Sequence, residues 1–315
     1  MGGPGGASRR LGWQADRVAA EAVTDGLIIV DKPGGMTSHD VVARCRRLAR
    51  TRRVGHGGTL DPMATGVLVI GVGRATRLLT YVVGVGKVYR GTIRLGQSTL
   101  TDDAEGEVTG GADAGHVADA EIAAGLAAQT GEVDQVPSAV SAIKVNGVRA
   151  YKQVRDGKTP ELAARRVTIS RIEVSAIRRS EPGLVDIDVE VACSSGTYIR
   201  AIARDLGARL GVGGHLAALR RTHVGDFDLE QAATLEELAE LADPVTLPLP
   251  AALRRVFQVR DADVEETRIL SHGGPLEPVG IAGPYAVFGA DGAPLAVVSE
   301  RGGKARAEIV LVGAS

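Results

Sequence analysis

Asp61 is preceded by a loop containing Gly55, Gly57 and Gly58 and followed by Pro62. Proline at the next position drives Asp61 away from helix toward an extended backbone, and the glycines open conformations closed to other residues. The carboxylate is therefore presented from a shaped loop, which makes it the best candidate for chemistry in the chain. Directly after it, Val67 to Val72 is a β-branched, uncharged run of the kind that forms a buried strand, so a rigid element anchors a polar loop. Asp before Pro also closes ordinary turns, and these few residues alone leave that reading open.

The segment leading into the loop is basic. Val41 to Arg53 holds six arginines, while Val41, Cys45, Leu48 and Ala49 recur at helical spacing, so the arginines fall mostly outside the apolar stripe. Thr37 or Ser38 can cap this helix, with Asp40 closing a capping box. A charged helix face is commonly just solvated. Delivered directly to an acidic loop, it suits a polyanion held beside a carboxylate.

Elements able to position these groups are legible on both sides. Leu27 to Val30 is an apolar strand that ends in Asp31-Lys32-Pro33-Gly34-Gly35 and turns into the basic helix. Lys87 to Gly96 alternates, with Tyr89, Ile93 and Leu95 on one face and Val88, Arg90, Thr92 and Arg94 on the other. Val185, Ile187, Val189, Val191 and Cys193 alternate with acids at 186, 188 and 190, a second half-buried strand suited to antiparallel pairing. It runs through Ser194 to Arg200 into a helix with a stripe of Ile199, Ile202, Ala203, Leu206 and Leu210. Tyr198 and Arg200 stand at the start of that helix, where unpaired N–H groups favour anions; Arg200 either strengthens such a site or binds a nearby acid.

The chain has 315 residues, enough for one large domain and a small one. Its net charge of −1 argues against nucleic acid, but the distribution does not. Residues 1–100 carry 15 basic and 6 acidic groups and residues 136–221 carry 15 and 8, whereas 101–135 and 222–250 hold nine and seven acids with no Lys or Arg. Such blocks can fold into a polarised surface. Cys45 and Cys193 form neither a disulfide framework nor part of a metal cluster, and the reading is a reduced, cytoplasmic setting. No segment has the apolar length of a membrane span, and residues 1–24 read as a flexible extension. Three prolines in 242–250 mark a junction, after which 251–315 alternates apolar runs with glycine turns in the manner of a small β-barrel or half-barrel. The fold class is α+β.

Five ordered blocks carry a resemblance: DKPGGMTSHDVV from Asp31, GHGGTLDPMATGVL around Asp61, KVYRGTIRLGQSTLTDDAEG from Lys87, QVPSAVSAIKVNGVRAYKQVRDG from Gln135 and CSSGTYIRAIARDLG from Cys193. Together they resemble the TruB family of bacterial tRNA pseudouridine synthases. The resemblance implies a mixed, largely antiparallel sheet core flanked by helices over 25–250, a substrate-clamping insertion near 135–158 bearing Tyr151, and a PUA-like RNA-binding domain at 251–315. It implies conversion of uridine 55 in the tRNA T loop to pseudouridine with no cofactor and no metal, by a chain acting as a monomer. In that reading Asp61 is the catalytic carboxylate, Arg200 pairs with it, and Tyr89 stacks on the target base and removes its C5 proton. His56 fills the space left by the flipped base, Tyr198 and Leu60 line the pocket, and Lys32 with Pro33 supports it. Gly57 departs from the family pattern, which usually carries Thr or Ser there.

Other readings are weaker. His56-Gly57-Gly58 and the Ser141 to Lys144 spacing hint at an acyl-transfer site, and Gly71-Val72-Gly73 at a dinucleotide loop, but their companion motifs are missing. A protein that binds or folds tRNA without altering it, or a guide-dependent synthase, would share the charge pattern.

Overall fold

The structure, a computed structural model, describes residues 24–140, 144–145, 148–149 and 162–312. The expected extension up to residue 23, and Ser141 and Tyr151 within the 135–158 insertion, lie outside the described residues. A ten-stranded sheet organises the chain. From one edge its order is Leu247–Pro248, Gly26–Lys32, Thr65–Val72, Gly214–Val224, Lys87–Leu95, Val185–Cys193, Arg165–Arg178 and Gly131–Gln135. Val54–Gly57 also pairs with Thr65–Val72, and Phe227–Asp228 with Gly214–Val224. All pairings are antiparallel except that of Gly214–Val224 with Thr65–Val72, which sets Arg220 opposite Thr65 and Arg221 opposite Gly66. Gly66, at φ +100°, is required by this approach, because a Cβ there would sit 2.1 Å from the Arg221 carbonyl oxygen.

The period of two divides the apolar residues between the sheet's faces. Ile28, Val30, Leu68 and Ile70 join Val41, Val42 and Cys45 of helix Ser38–Leu48 and Ile202 and Leu206 of helix Ile199–Arg209 in one core. Leu27, Ile29, Val67 and Val69 face the opposite way, onto Leu249 and Leu253 of helix Leu249–Val256. Both faces are thus covered, which explains why these strands read as unbroken apolar runs. Helix Ser38–Leu48 begins with Thr37 as N-cap and Asp40 closing the capping box.

Residues 242–250 do not hang between two bodies: Leu247 and Pro248 pair with Leu27 and Gly26 at the sheet edge. Beyond helix Leu249–Val256 a second sheet forms in the order Val259–Asp261, Tyr285–Phe288, Pro294–Arg301 and Lys304–Val310. Ala286, Phe288, Val297 and Ile309 on one face of it complete the core around Leu249, Leu253 and Phe257. Tyr81 packs edge-on against Phe257 at 4.8 Å between centroids, and its hydroxyl donates to Glu308 Oε2 at 2.6 Å. The two sheets therefore share one apolar layer.

Strand pairing also redistributes charge. Arg90 faces Glu190, Thr92 faces Asp188 and Arg94 faces Asp186 across the Lys87–Leu95 and Val185–Cys193 ladder. Arg90 Nε lies 3.1 Å from Glu190 Oε2 and Arg94 Nε lies 2.7 Å from Asp186 Oδ1. The basic face of one strand and the acidic face of the next are the same surface, and they neutralise each other.

Candidate active site

A cleft of about 430 Å³ opens where the loop after strand Val54–Gly57 meets the start of helix Ile199–Arg209. Asp61, Leu60, Tyr89, Tyr198 and Arg200 line it, together with Lys87 and Arg221, which the sequence reading passed over. Lys32 and His56 are not among the residues that line it. Past Leu219 the cleft continues into a shallower groove of about 830 Å³ bordered by Arg90, Glu105, Asp188 and Arg220.

The Asp61 loop is pinned from beneath. Lys32, fully buried, donates through Nζ to the carbonyl oxygens of Pro33 at 2.8 Å, Pro62 at 3.1 Å and Ala64 at 2.7 Å, using all three ammonium hydrogens. Ser38 Oγ accepts from Leu60 N at 2.8 Å and donates to Leu60 O at 3.0 Å, holding the residue before Asp61 to the capped helix. Arg221, 1% exposed, donates to the carbonyls of Val67 at 2.7 Å, Gly58 at 3.1 Å and Thr59 at 3.4 Å. Two buried cations thus hold backbone oxygens and fix the loop's shape, and Arg221 also hydrogen-bonds the Tyr89 side chain.

Arg200 comes from the other wall. Gln135 clamps the helix start, accepting from Tyr198 N at 2.7 Å and donating to Tyr198 O at 3.1 Å. The Arg200 side chain, 6% exposed, places Nη2 3.0 Å from Asp61 Oδ2 and Nη1 3.1 Å from Asp103 Oδ2. The same two nitrogens donate to Val140 O at 3.0 Å and Thr101 O at 2.8 Å. Of the two alternatives the sequence offered, the guanidinium is bound to acids and is not free for a phosphate. Asp103 is the partner that sequence reading missed: its side chain is 3% exposed, and its turn is held by Thr99 and Thr101, whose hydroxyls donate to its carbonyl oxygen at 2.7 and 3.3 Å. Only the fold reveals it, because an acid among nine in an acidic stretch has no distinguishing spacing.

The electrostatics follow from this geometry. Burial raises the Asp61 carboxyl above its ordinary range, and Asp103 adds to the rise; the Arg200 guanidinium and then Lys32 oppose it. The side chain remains 37% exposed, on the cleft side. Tyr89 is 7% exposed, and burial pushes its phenol upward. His56 stacks edge-to-face on His39 with centroids 5.4 Å apart, and burial, then the His39 and Arg221 charges, lowers its pKa and favours the neutral ring.

Gly57 faces away from the cleft. A Cβ there would meet Val82 Cγ1 at 3.0 Å and Leu79 Cδ2 at 3.5 Å, on helix Leu79–Gly84. The helix crowds any side chain at this position, so Gly57→Thr is expected to lower unfolding stability by about 1–3 kcal/mol. Urea unfolding measures this, with Gly57→Ala costing less.

Comparison with known proteins draws on residues 46–312. The model of the TruB family pseudouridylate synthase N-terminal domain matches residues 46–199, the tRNA pseudouridylate synthase B C-terminal domain 200–262, and the tRNA pseudouridine synthase II C-terminal model 257–312. A tRNA pseudouridine synthase B of Mycobacteroides abscessus is 57% identical over 91% of this chain and 96% of its own length. The chain belongs to the TruB family. The enzyme of the same name from Thermobifida fusca is 55% identical, over 92% of this chain and all of its own. Among solved structures, a Cbf5–Nop10–Gar1 complex matches with a TM-score of 0.69 at 24% identity, covering 93% of this chain and 86% of that one, a likeness of fold. In this TruB-family chain the five blocks singled out in the sequence converge: those beginning at Asp31, Lys87 and Cys193 and the one around Asp61 meet at the cleft, and Gln135 ties the fifth to it.

Proposed function

We infer that this chain converts uridine 55 in the T loop of tRNA to pseudouridine, by itself and without cofactor. The observation that carries the reading is the Asp61–Arg200 pair at the floor of the cleft, in a chain over half identical to proteins named tRNA pseudouridine synthase B. The reaction breaks N1–C1′, turns the base and joins C5 to C1′, so no atom or electron is exchanged with a carrier. Asp61 acts as its ionised form, at the ribose or the base; Arg200 keeps it charged and aimed despite burial. A stacked uridine must leave its loop to reach a pocket of this depth, a step that costs a few kcal/mol, and Tyr89 offers the flipped base an aromatic face. His56, neutral and beside the loop, takes the vacated space. Tyr198 and Leu60 shape the walls, and Lys32 fixes the floor. The small C-terminal domain adds RNA contact in the manner of a PUA module, and the enzyme works as a monomer in the cytoplasm. Among the described residues no helix is long and apolar enough to cross a membrane.

RNA binding falls to the arginines at the end of helix Ser38–Leu48. Arg44, Arg47, Arg50, Arg52 and Arg53 are exposed, and none forms an ion pair among the described residues, whereas Arg90, Arg94, Arg166, Arg171 and Arg178 are all neutralised. Replacing Arg47 and Arg50 together by Ser is expected to reduce the slope of log affinity against log salt by about 1.5–2, with turnover at saturating tRNA nearly unchanged. Filter binding over a salt series measures this. The function itself is tested by tritium release from a tRNA transcript labelled at uridine C5. Release by this protein alone supports an autonomous synthase, and tRNA binding without release assigns it a binding or guide-dependent role.

A further inference from the structure

Arg204 has no role in the reading above, yet it stands one turn after Arg200 on helix Ile199–Arg209, on the same face. Its Nη1 lies 3.3 Å from Asp102 Oδ2 and 3.5 Å from Pro137 O, and its Nη2 donates to Val136 O at 2.8 Å. Nε donates to Asp205 Oδ1 at 2.8 Å, which steadies the guanidinium. Asp102 has a φ of +61°, and among the described residues only Arg50 shares that left-handed region without being glycine. The turn it shapes runs directly into Asp103, the second acid of Arg200. Leu216 holds one side of that turn, donating from N to Asp102 O and accepting from Ala104 N, each at 3.0 Å. Arg204 holds the other side. The two arginines thus grip the same two segments, Arg200 through Thr101, Asp103 and Val140 and Arg204 through Asp102, Val136 and Pro137. Ser138, fully buried, joins the segments by donating to Thr101 O at 3.1 Å.

We propose that Arg204 is a positioning residue for the isomerisation: bound to Asp102, it holds the turn where Asp103 and the Thr101 carbonyl aim the Arg200 guanidinium at Asp61. The inference rests on the uridine-isomerising reading of the cleft. Arg200 spends Nη1 on Asp103 and Thr101 O, and Nη2 on Asp61 and Val140 O. Its guanidinium is planar and rigid, so a shift of the turn that carries the Nη1 partners swings the Nη2 side with it. Without the Arg204 charge, Asp102 loses its partner across the turn and its left-handed backbone is free to relax.

The surroundings fit this role. Arg204 is not among the residues that line the cleft, so it acts on the reaction only through Arg200. The Arg204–Asp102 pair adds little stability, because both side chains reach solvent, at 28% and 15% exposure. Its effect falls on geometry instead. Asp61 faces Arg200, Asp103, Lys32, Glu105 and Tyr89, and of these only the two cations oppose the rise that burial imposes on its carboxyl. A loosened Arg200 therefore leaves Asp61 easier to protonate, and the ionised form that does the chemistry is lost at a higher pH.

The test uses the full-length chain and single-turnover tritium release from tRNA labelled at uridine C5. Arg204→Gln is expected to lower turnover by about 10–100-fold, with tRNA affinity and melting temperature retained and the acid limb of the rate profile moved to higher pH. Asp102→Asn keeps a residue suited to the left-handed backbone and removes only the charge, so it is expected to match that loss, and the double variant to fall no further than either single. Turnover of Arg204→Gln within about threefold of wild type, a loss with an unmoved acid limb, or single losses that multiply in the double variant would overturn the proposal. Should Arg204→Gln not fold, Asp102→Gly decides, because glycine takes φ +61° freely. Full activity there means that the turn needs only its backbone and sinks the idea, whereas the same loss with the shifted acid limb supports it. Wild type releasing no C5 label would instead refute the isomerase reading.

Discussion

Asp61→Asn is expected to reduce uridine isomerisation by roughly 10⁴-fold or more, while leaving tRNA binding and folding close to wild type. The separation arises because Arg200, deprived of the Asp61 charge, keeps its contact with Asp103 and the carbonyls of Thr101 and Val140. No buried cation is stranded, and the loop remains held by Lys32, Ser38 and Arg221. Single-turnover tritium release with filter binding on the same samples measures both halves. Full-rate release by the variant would remove Asp61 from the chemistry. In wild type the rate should fall as pH drops through the Asp61 pKa, which burial has raised, because the ionised form is the active one.

Arg200→Met has the opposite profile, with stability lost as well as turnover. It leaves Asp103, 3% exposed, with no cation, and removes the charge that holds Asp61 ionised. Breaking such a buried pair from one side costs about 3–5 kcal/mol. Asp61, more open to water, contributes the smaller part. The pH dependence has a definite sign. Without the guanidinium the Asp61 carboxyl, already raised by burial, has a folded-state pKa further above the unfolded one, so folding favours its protonated form, and stability is lost as pH rises through that value. The deficit relative to wild type should therefore be largest near neutral pH and shrink toward acid, and the acid limb of the rate profile should move upward. Urea unfolding at two pH values checks this, and a deficit that grows toward acid would contradict the pairing argument.

Much of the frame was legible in the chain. Two-residue alternation identified the strands Lys87–Leu95 and Val185–Cys193, and uninterrupted apolar runs identified Gly26–Lys32 and Thr65–Val72, because side-chain period reports directly which faces are buried. Thr37 and Asp40 announced the helix start through local hydrogen-bond chemistry. Asp61 was conspicuous because Gly and Pro around it restrict the backbone in ways independent of the rest of the fold.

What failed to appear depended on pairing over long sequence separations. The largely basic face of strand Lys87–Leu95 gave no sign of its neutralisation, which came only when the ladder put Glu190, Asp188 and Asp186 opposite it. Lys87, Asp103 and Arg221 looked like ordinary members of charged blocks, and their burial is created by strands and turns far away in sequence. The sequence by itself determined the elements, the capped basic helix and the loop that carries Asp61, since each is set by interactions within a few residues. Only the tertiary structure decided that Arg200 bridges Asp61 and Asp103, that Arg221 holds the loop from below, and that Gly57 packs on a helix away from the cleft. Burial and charge pairing depend on distances in space, and those exist only once the sheet has assembled.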